Sequence, residues 1–104
     1  KAIVELGDNL PEAFFAATDA NAIVAVRALQ EEKISIPDRV SIISFNDTSI
    51  TKYVYPSLSS IKVFTEEMGV EAVNLLLDYI AHPFNVAKKV ILGTKLVLRD
   101  STIN

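Results

Sequence analysis

Apolar positions along the chain fall into short runs separated by polar turns. After Pro11, residues 13–17 ("AFFAA") form a compact apolar and aromatic run of the kind found in a buried parallel strand. Thr18 or Asp19 then caps a helix running to about residue 33, because Asp, Asn and Thr accept hydrogen bonds from the free amides of a first turn. Its apolar positions include Ala22, Ile23, Val26 and Leu29, and Val24, Ala25 and Ala28 leave little polar face. Such a helix is expected to be buried on more than one side. "ISIPDR" turns the chain through Pro37, and "VSIISF", residues 40–45, is a second strand. The order strand, helix, strand implies a crossover between parallel strands and an α/β fold.

Further along, "SSIKVF", residues 59–64, reads as a third strand. Thr65 caps an amphipathic helix, with Glu66 and Glu67 at the positive end of its dipole. Met68, Ala72, Leu75, Leu76, Tyr79 and Ile80 recur on one face, a pattern expected to pack in a core. Gly69 costs this helix about 1 kcal/mol against Ala, which points to a close backbone contact, and Pro83 stops the helix. "KKVILG" and "TKLVLRDST" are two strand-like runs divided at Gly93 and Thr94, as at a change of direction or a crossing between subdomains. At the other end, "KAIVELGDN" has the form of a helix tail, with Gly7 suited to the left-handed residue that closes it.

The first two strands stop alike on short polar side chains: Thr18 and Asp19 after one, Asn46, Asp47 and Thr48 after the other. Parallel neighbours point their carboxyl ends to one edge, where ligands bind in open α/β sheets, so Thr18 and Asp19 are expected near Asn46 and Asp47. Hydroxyl, amide and carboxylate groups in one place suit a polyol such as a sugar. Spacing alone leaves two readings open, a pair of helix caps or a ligand-binding lip. The following loop, "SITKYVYPSL", carries Tyr53 and Tyr55, either packed in the loop or offered to a partner.

Composition narrows the function classes. A chain of 104 residues is one domain or part of one, and no apolar stretch approaches the roughly 18 to 20 residues of a membrane span. The net charge of −3 argues against a nucleic-acid-binding surface, and Lys88, Lys89 and Arg27 read as solvated residues. Without cysteine there is no disulfide, thiolate metal site or Cys nucleophile, in keeping with a reducing compartment. No secretory signal is visible in these residues. The lone His82 beside Pro83 has no carboxylate neighbour in sequence and suits a helix end better than catalysis. With three glycines, no metal-ligand set and no base paired to a serine, nothing points to an enzyme, a metal or a cofactor.

The blocks "AATDANAIVAVRALQEEKISIPDRVSIISFNDT", "YPSLSSIKVFTEEMG" and "LVLRDST", in this order and spacing between about residue 10 and residue 102, resemble the C-terminal part of LacI/GalR-type bacterial transcription regulators. The resemblance implies a periplasmic-binding-protein-like two-lobed α/β core, only partly present, that senses a small effector and dimerises within a cytoplasmic repressor. It implies that residues 1–62 belong to the second lobe, 65–92 mainly to the first, and 95–104 to a return to the second. The helix-turn-helix head that binds operator DNA, the hinge helix and most of the first lobe would lie outside these residues. The family's "ND" block falls on Thr18 and Asp19, and the aspartate of its "G-[FY]-D" block falls on Asn46. Ser44 stands where that block carries Gly, and the carboxylate is displaced to Asp47. An amide both donates and accepts toward a sugar hydroxyl but cannot neutralise a cation, so a neutral, hydroxyl-rich effector is favoured over a purine or an amine. The "ISFNDT" variant is similar to that of galactose- or galactoside-type repressors.

From this resemblance, Thr18, Asp19, Asn46 and Asp47 are the expected ligand-binding residues, and Asn21, Val24, Ala25 and Tyr53 the expected homodimer contacts. A sugar-binding component of a transport system shares the fold and is the alternative, separable by what lies upstream. A phosphoacceptor receiver domain also gathers carboxylates at parallel strand ends. It needs an acidic pair, a phosphorylated Asp and a partner Lys, and that set is not evident here.

Overall fold

A computed structural model describes residues 5–83 and 86–103. Four strands make one sheet in the order β1 (Ala13–Phe15), β2 (Ser41–Asn46), β3 (Ser59–Lys62) and β4 (Lys95–Val97). β1 and β2 pair in parallel, with Ala13 opposite Ser41, and β2 and β3 pair in parallel, with Ser44 opposite Ser60. β4 runs antiparallel to β3, Lys62 facing Lys95. Helix α1 (Asp19–Glu31) connects β1 to β2, and helix α2 (Thr65–Ala81) follows β3. The parallel α/β arrangement anticipated from the run of apolar segments is therefore present.

The chain divides into two compact units, residues 1–62 with 95–104, and residues 63–94. In the first, Ala22, Val26 and Leu29 of α1 pack with Leu10, Val40, Ile42 and Leu58 in a small apolar core. Ile34, Ile36 and Phe14 close over its margins. The chain beyond β4 folds back where β3 begins. Ser101 donates its hydroxyl to the Ile42 carbonyl at 2.6 Å, and the same oxygen accepts from the Ser59 amide at 2.8 Å. The Ile42 amide in turn donates to the Ser101 carbonyl. Ser101 thus satisfies backbone groups that would otherwise be buried and unpaired. Arg39 fastens the entrance to β1 by donating to the carbonyls of Leu10 and Pro11.

Several sequence expectations change. β1 is an edge strand with only Phe14 half-buried, and Phe15, which meets Phe45 edge-on, is 63% exposed. α1 buries one stripe rather than several sides, leaving Val24 exposed. Phe64, not Thr65, is the N-cap of α2, without a side-chain hydrogen bond, while Glu66 and Glu67 do lie in the first turn. None of the apolar stripe of α2 is buried. Beyond its chain neighbours and its own helix backbone, Gly69 has no atom of the described residues within 4 Å of where a Cβ would sit, so close approach within them does not account for it. "KKVILG" forms no strand, and the described residues of 63–94 contain no strand for it to pair with. Gly7 has φ +52°, the left-handed value expected of it, but opens a short 3-10 turn, Gly7–Asn9; the start of the anticipated helix tail, residues 1–4, lies outside the described residues.

Candidate functional site

The carboxyl edge of β1 and β2 holds the chemistry. Thr18 is the N-cap of α1, its Oγ1 accepting from the Asn21 amide at 3.2 Å, so this residue answers to the capping reading. Asp19, the next residue, turns inward and is only 3% exposed. Its Oδ1 accepts from the Ser44 hydroxyl at 2.6 Å and from the Ser60 hydroxyl at 3.1 Å. Its Oδ2 accepts from both the amide and the hydroxyl of Thr48, each at 2.7 Å. The two serines reach one carboxylate oxygen because they stand opposite each other on β2 and β3.

Between these anchors the backbone takes an uncommon path. Asn46 has φ 108° and Asp47 φ 58°, conformations that cost a residue with a Cβ of order 1–3 kcal/mol each and persist only where the surroundings enforce them. The Asp47 amide donates to Ser60 Oγ at 3.1 Å, and the Thr48 amide is the one held by Asp19. Asp47 itself is tied down: Oδ1 accepts from Arg99 at 2.6 Å and from Thr51 at 2.9 Å. The same guanidinium nitrogen of Arg99 donates to the Leu58 carbonyl. Asn46 is different. Half-buried at the strand end, its side-chain amide has no hydrogen-bond partner among the described residues.

Asp19 and Asp47 are brought to the same edge, linked through Ser60, but both carboxylates are engaged within the protein. No hydrogen bond joins Thr18 to Asn46 or Asp47 among the described residues. Ser60, Thr48, Thr51 and Arg99 were not anticipated as partners. A readable sign existed for Ser44, a hydroxyl interrupting the apolar run "VSIISF". Asn21, Val24, Ala25 and Tyr53 lie on α1 and the loop after β2. Val24 is 68% and Tyr53 80% exposed, and Gln30 fastens that loop to α1 through the Tyr55 carbonyl at 2.7 Å. No group of three or more His, Cys, Asp or Glu among the described residues is disposed to hold a metal, and no described helix is long and apolar enough to cross a membrane.

Burial pushes the Asp19 carboxyl up, but the hydrogen bonds of Ser44, Thr48 and Ser60 together outweigh it and hold the group below its ordinary value of 3.8. Burial likewise opposes ionisation of Asp47, and the hydrogen bonds from Arg99 and Thr51 with the nearby Arg99 and Lys62 charges again win, lowering it. Because both folded-state values lie below the unfolded ones, their stabilisation is complete above 3.8 and is lost as pH falls through the folded values. Thermal midpoints are therefore expected to stay level between about pH 7 and pH 5 and to fall below about pH 4. Asp19→Asn should flatten part of that fall; an acid limb of unchanged steepness in circular-dichroism melts would contradict the assignment.

The chain matches the family model for the periplasmic binding protein-like domain over residues 1–102. It is 52% identical over 99 residues to the HTH-type transcriptional regulator GalR of Streptococcus thermophilus, covering 95% of this chain and 30% of that protein. The fold superposes on a putative LacI transcriptional regulator from Bacillus cereus subsp. cytotoxis with a TM-score of 0.90 at 30% identity, over 98% of this chain and 37% of that one. A LacI family regulator from Enterococcus faecium, solved with bound ribose, gives a TM-score of 0.85 at 32% identity, over 96% of this chain and 37% of that one. The chain spans about 30% of the length of such curated relatives, which are transcription regulators rather than enzymes. The chain thus belongs to the periplasmic binding protein-like domain family, in the form carried by the LacI/GalR-type transcription regulators.

Proposed function

We propose that this chain is the C-terminal, effector-sensing and dimerising portion of a LacI/GalR-type regulator that responds to a sugar. The observation that carries the reading is Asn46: a side-chain amide without a hydrogen-bond partner among the described residues, held at a positive φ on the edge of the sheet where α/β folds bind ligands. Its paired donor and acceptor match a sugar hydroxyl. The ribose bound to the Enterococcus faecium neighbour supports a sugar as the ligand class. In this reading Asn46 hydrogen-bonds the effector, while Thr18, Asp19 and Asp47 shape the surface around it.

Residues 1–62 and 95–104 belong to the second lobe and 65–92 mainly to the first, in a cytoplasmic protein without catalytic activity. Operator DNA is bound by a helix-turn-helix head beyond these residues, since the net charge of −3 offers phosphates little. A two-fold homodimer buries Asn21, Val24, Ala25 and the Tyr53 loop; the exposure of Val24 and Tyr53 supports that surface. A sugar preferring one lobe arrangement then changes the spacing of two DNA heads by its difference in affinity between the states.

Asn46→Ala in the complete regulator should lose about 1 to 3 kcal/mol of sugar affinity, the usual penalty for stranding a hydrogen-bonded partner. Calorimetry with galactose, ribose and cellobiose reads this out. Unchanged affinity for a sugar that binds the parent protein would remove Asn46 from the site.

A further inference from the structure

We infer that Asp19 is the positioning residue for Asn46: its carboxylate selects effectors by latching the strand-end loop in one conformation, and does not touch the effector. This rests on the sugar-sensing reading above and deepens it. Both Asp19 oxygens are saturated from within, Oδ1 by Ser44 and Ser60 and Oδ2 by the amide and hydroxyl of Thr48. Buried at 3% exposure, the group has no acceptor capacity directed at solvent. What it holds is the segment just past Asn46. The Thr48 amide is bound directly, and the Asp47 amide is bound by the serine hydroxyl that donates to Asp19. These two amides belong to the peptide units that directly follow the positive-φ residues Asn46 and Asp47.

Strain at such positions persists only where the surroundings over-determine it. Release of the Thr48 and Asp47 amides lets Asn46 relax toward negative φ, and its amide then points elsewhere, because side-chain direction follows the backbone. Asp19 arrives from the start of α1 and Ser44 and Ser60 from β2 and β3, so three elements fix the presentation of one side chain. Hydrogen-bond polarity agrees throughout. The hydroxyls of Ser44 and Ser60 donate to the carboxylate, which leaves the Ser60 oxygen free to accept from Asp47.

The test uses the complete regulator with four variants: Asp19→Ala, Asp19→Asn, Asn46→Ala, and Asp19→Ala with Asn46→Ala. Amide hydrogen exchange of Asp47 and Thr48 should quicken at least about tenfold in Asp19→Ala, with Ala22 and Val26 of α1 unchanged. Asp19→Asn should restore most of the protection, since its amide oxygen still accepts from Thr48 and the serine hydroxyls can turn to accept from its amide nitrogen. Sugar affinity should fall about tenfold in Asp19→Ala and recover in Asp19→Asn, and the double variant should bind no more weakly than Asn46→Ala alone. Undiminished protection in both Asp19 variants overturns the inference. Losses that multiply in the double variant also overturn it, because they place Asp19 on the sugar itself. If the parent protein binds none of galactose, ribose and cellobiose, the sugar reading fails, and exchange at Asp47 and Thr48 decides the latch by itself.

Discussion

Arg99→Ala is expected to destabilise the unit of residues 1–62 and 95–104 by about 3 to 5 kcal/mol, the range for breaking a buried ion pair from one side. The side chains of Arg99 and Asp47 are 15% and 6% exposed. Removing the guanidinium strands a carboxylate that burial already penalises, and withdraws a donor from Thr51 and from the Leu58 carbonyl. For a domain of this size that loss should lower the thermal midpoint by more than about 12 °C. Arg27 supplies the contrast: its pair with Glu31 is open to water, and Arg27→Ala should change stability by less than about 0.5 kcal/mol. Adding Asp47→Ala to Arg99→Ala should recover part of the loss, because no unpaired charge is left behind. Denaturant titrations in which the Arg99 and Arg27 variants are equally stable would show that the buried pair contributes no more than a surface one.

The parallel α/β order was legible because two short apolar runs, residues 13–17 and 40–45, flank a longer capped segment that ends before Pro37, and the sheet edge followed from that order alone. The inward turn of Asp19 was not. Both a cap and a ligand contact leave the side chain facing outward, and what reversed it was the meeting of two serines across β2 and β3 in register. Register between strands separated by a loop is not encoded in either strand by itself. A hydroxyl inside "VSIISF" was the available sign, because a buried polar group in an apolar strand requires a partner. The stripe on α2 failed for another reason. Periodicity identifies an apolar face but says nothing about which residues cover it, and Met68, Leu76, Tyr79 and Ile80 all remain substantially exposed. Likewise "KKVILG" has the composition of a strand, and a strand exists only where a second one offers its hydrogen bonds.

Leu29→Ala should cost about 2 to 5 kcal/mol, through lost transfer energy and the cavity left behind. Leu29 is fully buried, and the core around it is small: Leu10, Ala22, Val26, Val40, Ile42 and Leu58. Few neighbours are available to close the gap, which places the expected cost toward the upper part of the range. Val24, on the same helix, has the opposite environment at 68% exposure, so Val24→Glu should leave folding stability within about 0.5 kcal/mol. Its effect belongs to association. In the complete regulator the substitution sets a charge into the proposed two-fold contact, where the partner helix brings the same charge toward it. Light scattering at low micromolar concentration should then report a dimer for the parent protein and a monomer for Val24→Glu. Leu29→Ala should remain a dimer with a lowered thermal midpoint. A dimer that survives Val24→Glu puts the interface away from α1, and a Leu29→Ala midpoint equal to the parent's would mean that this core does not set the stability of the fold.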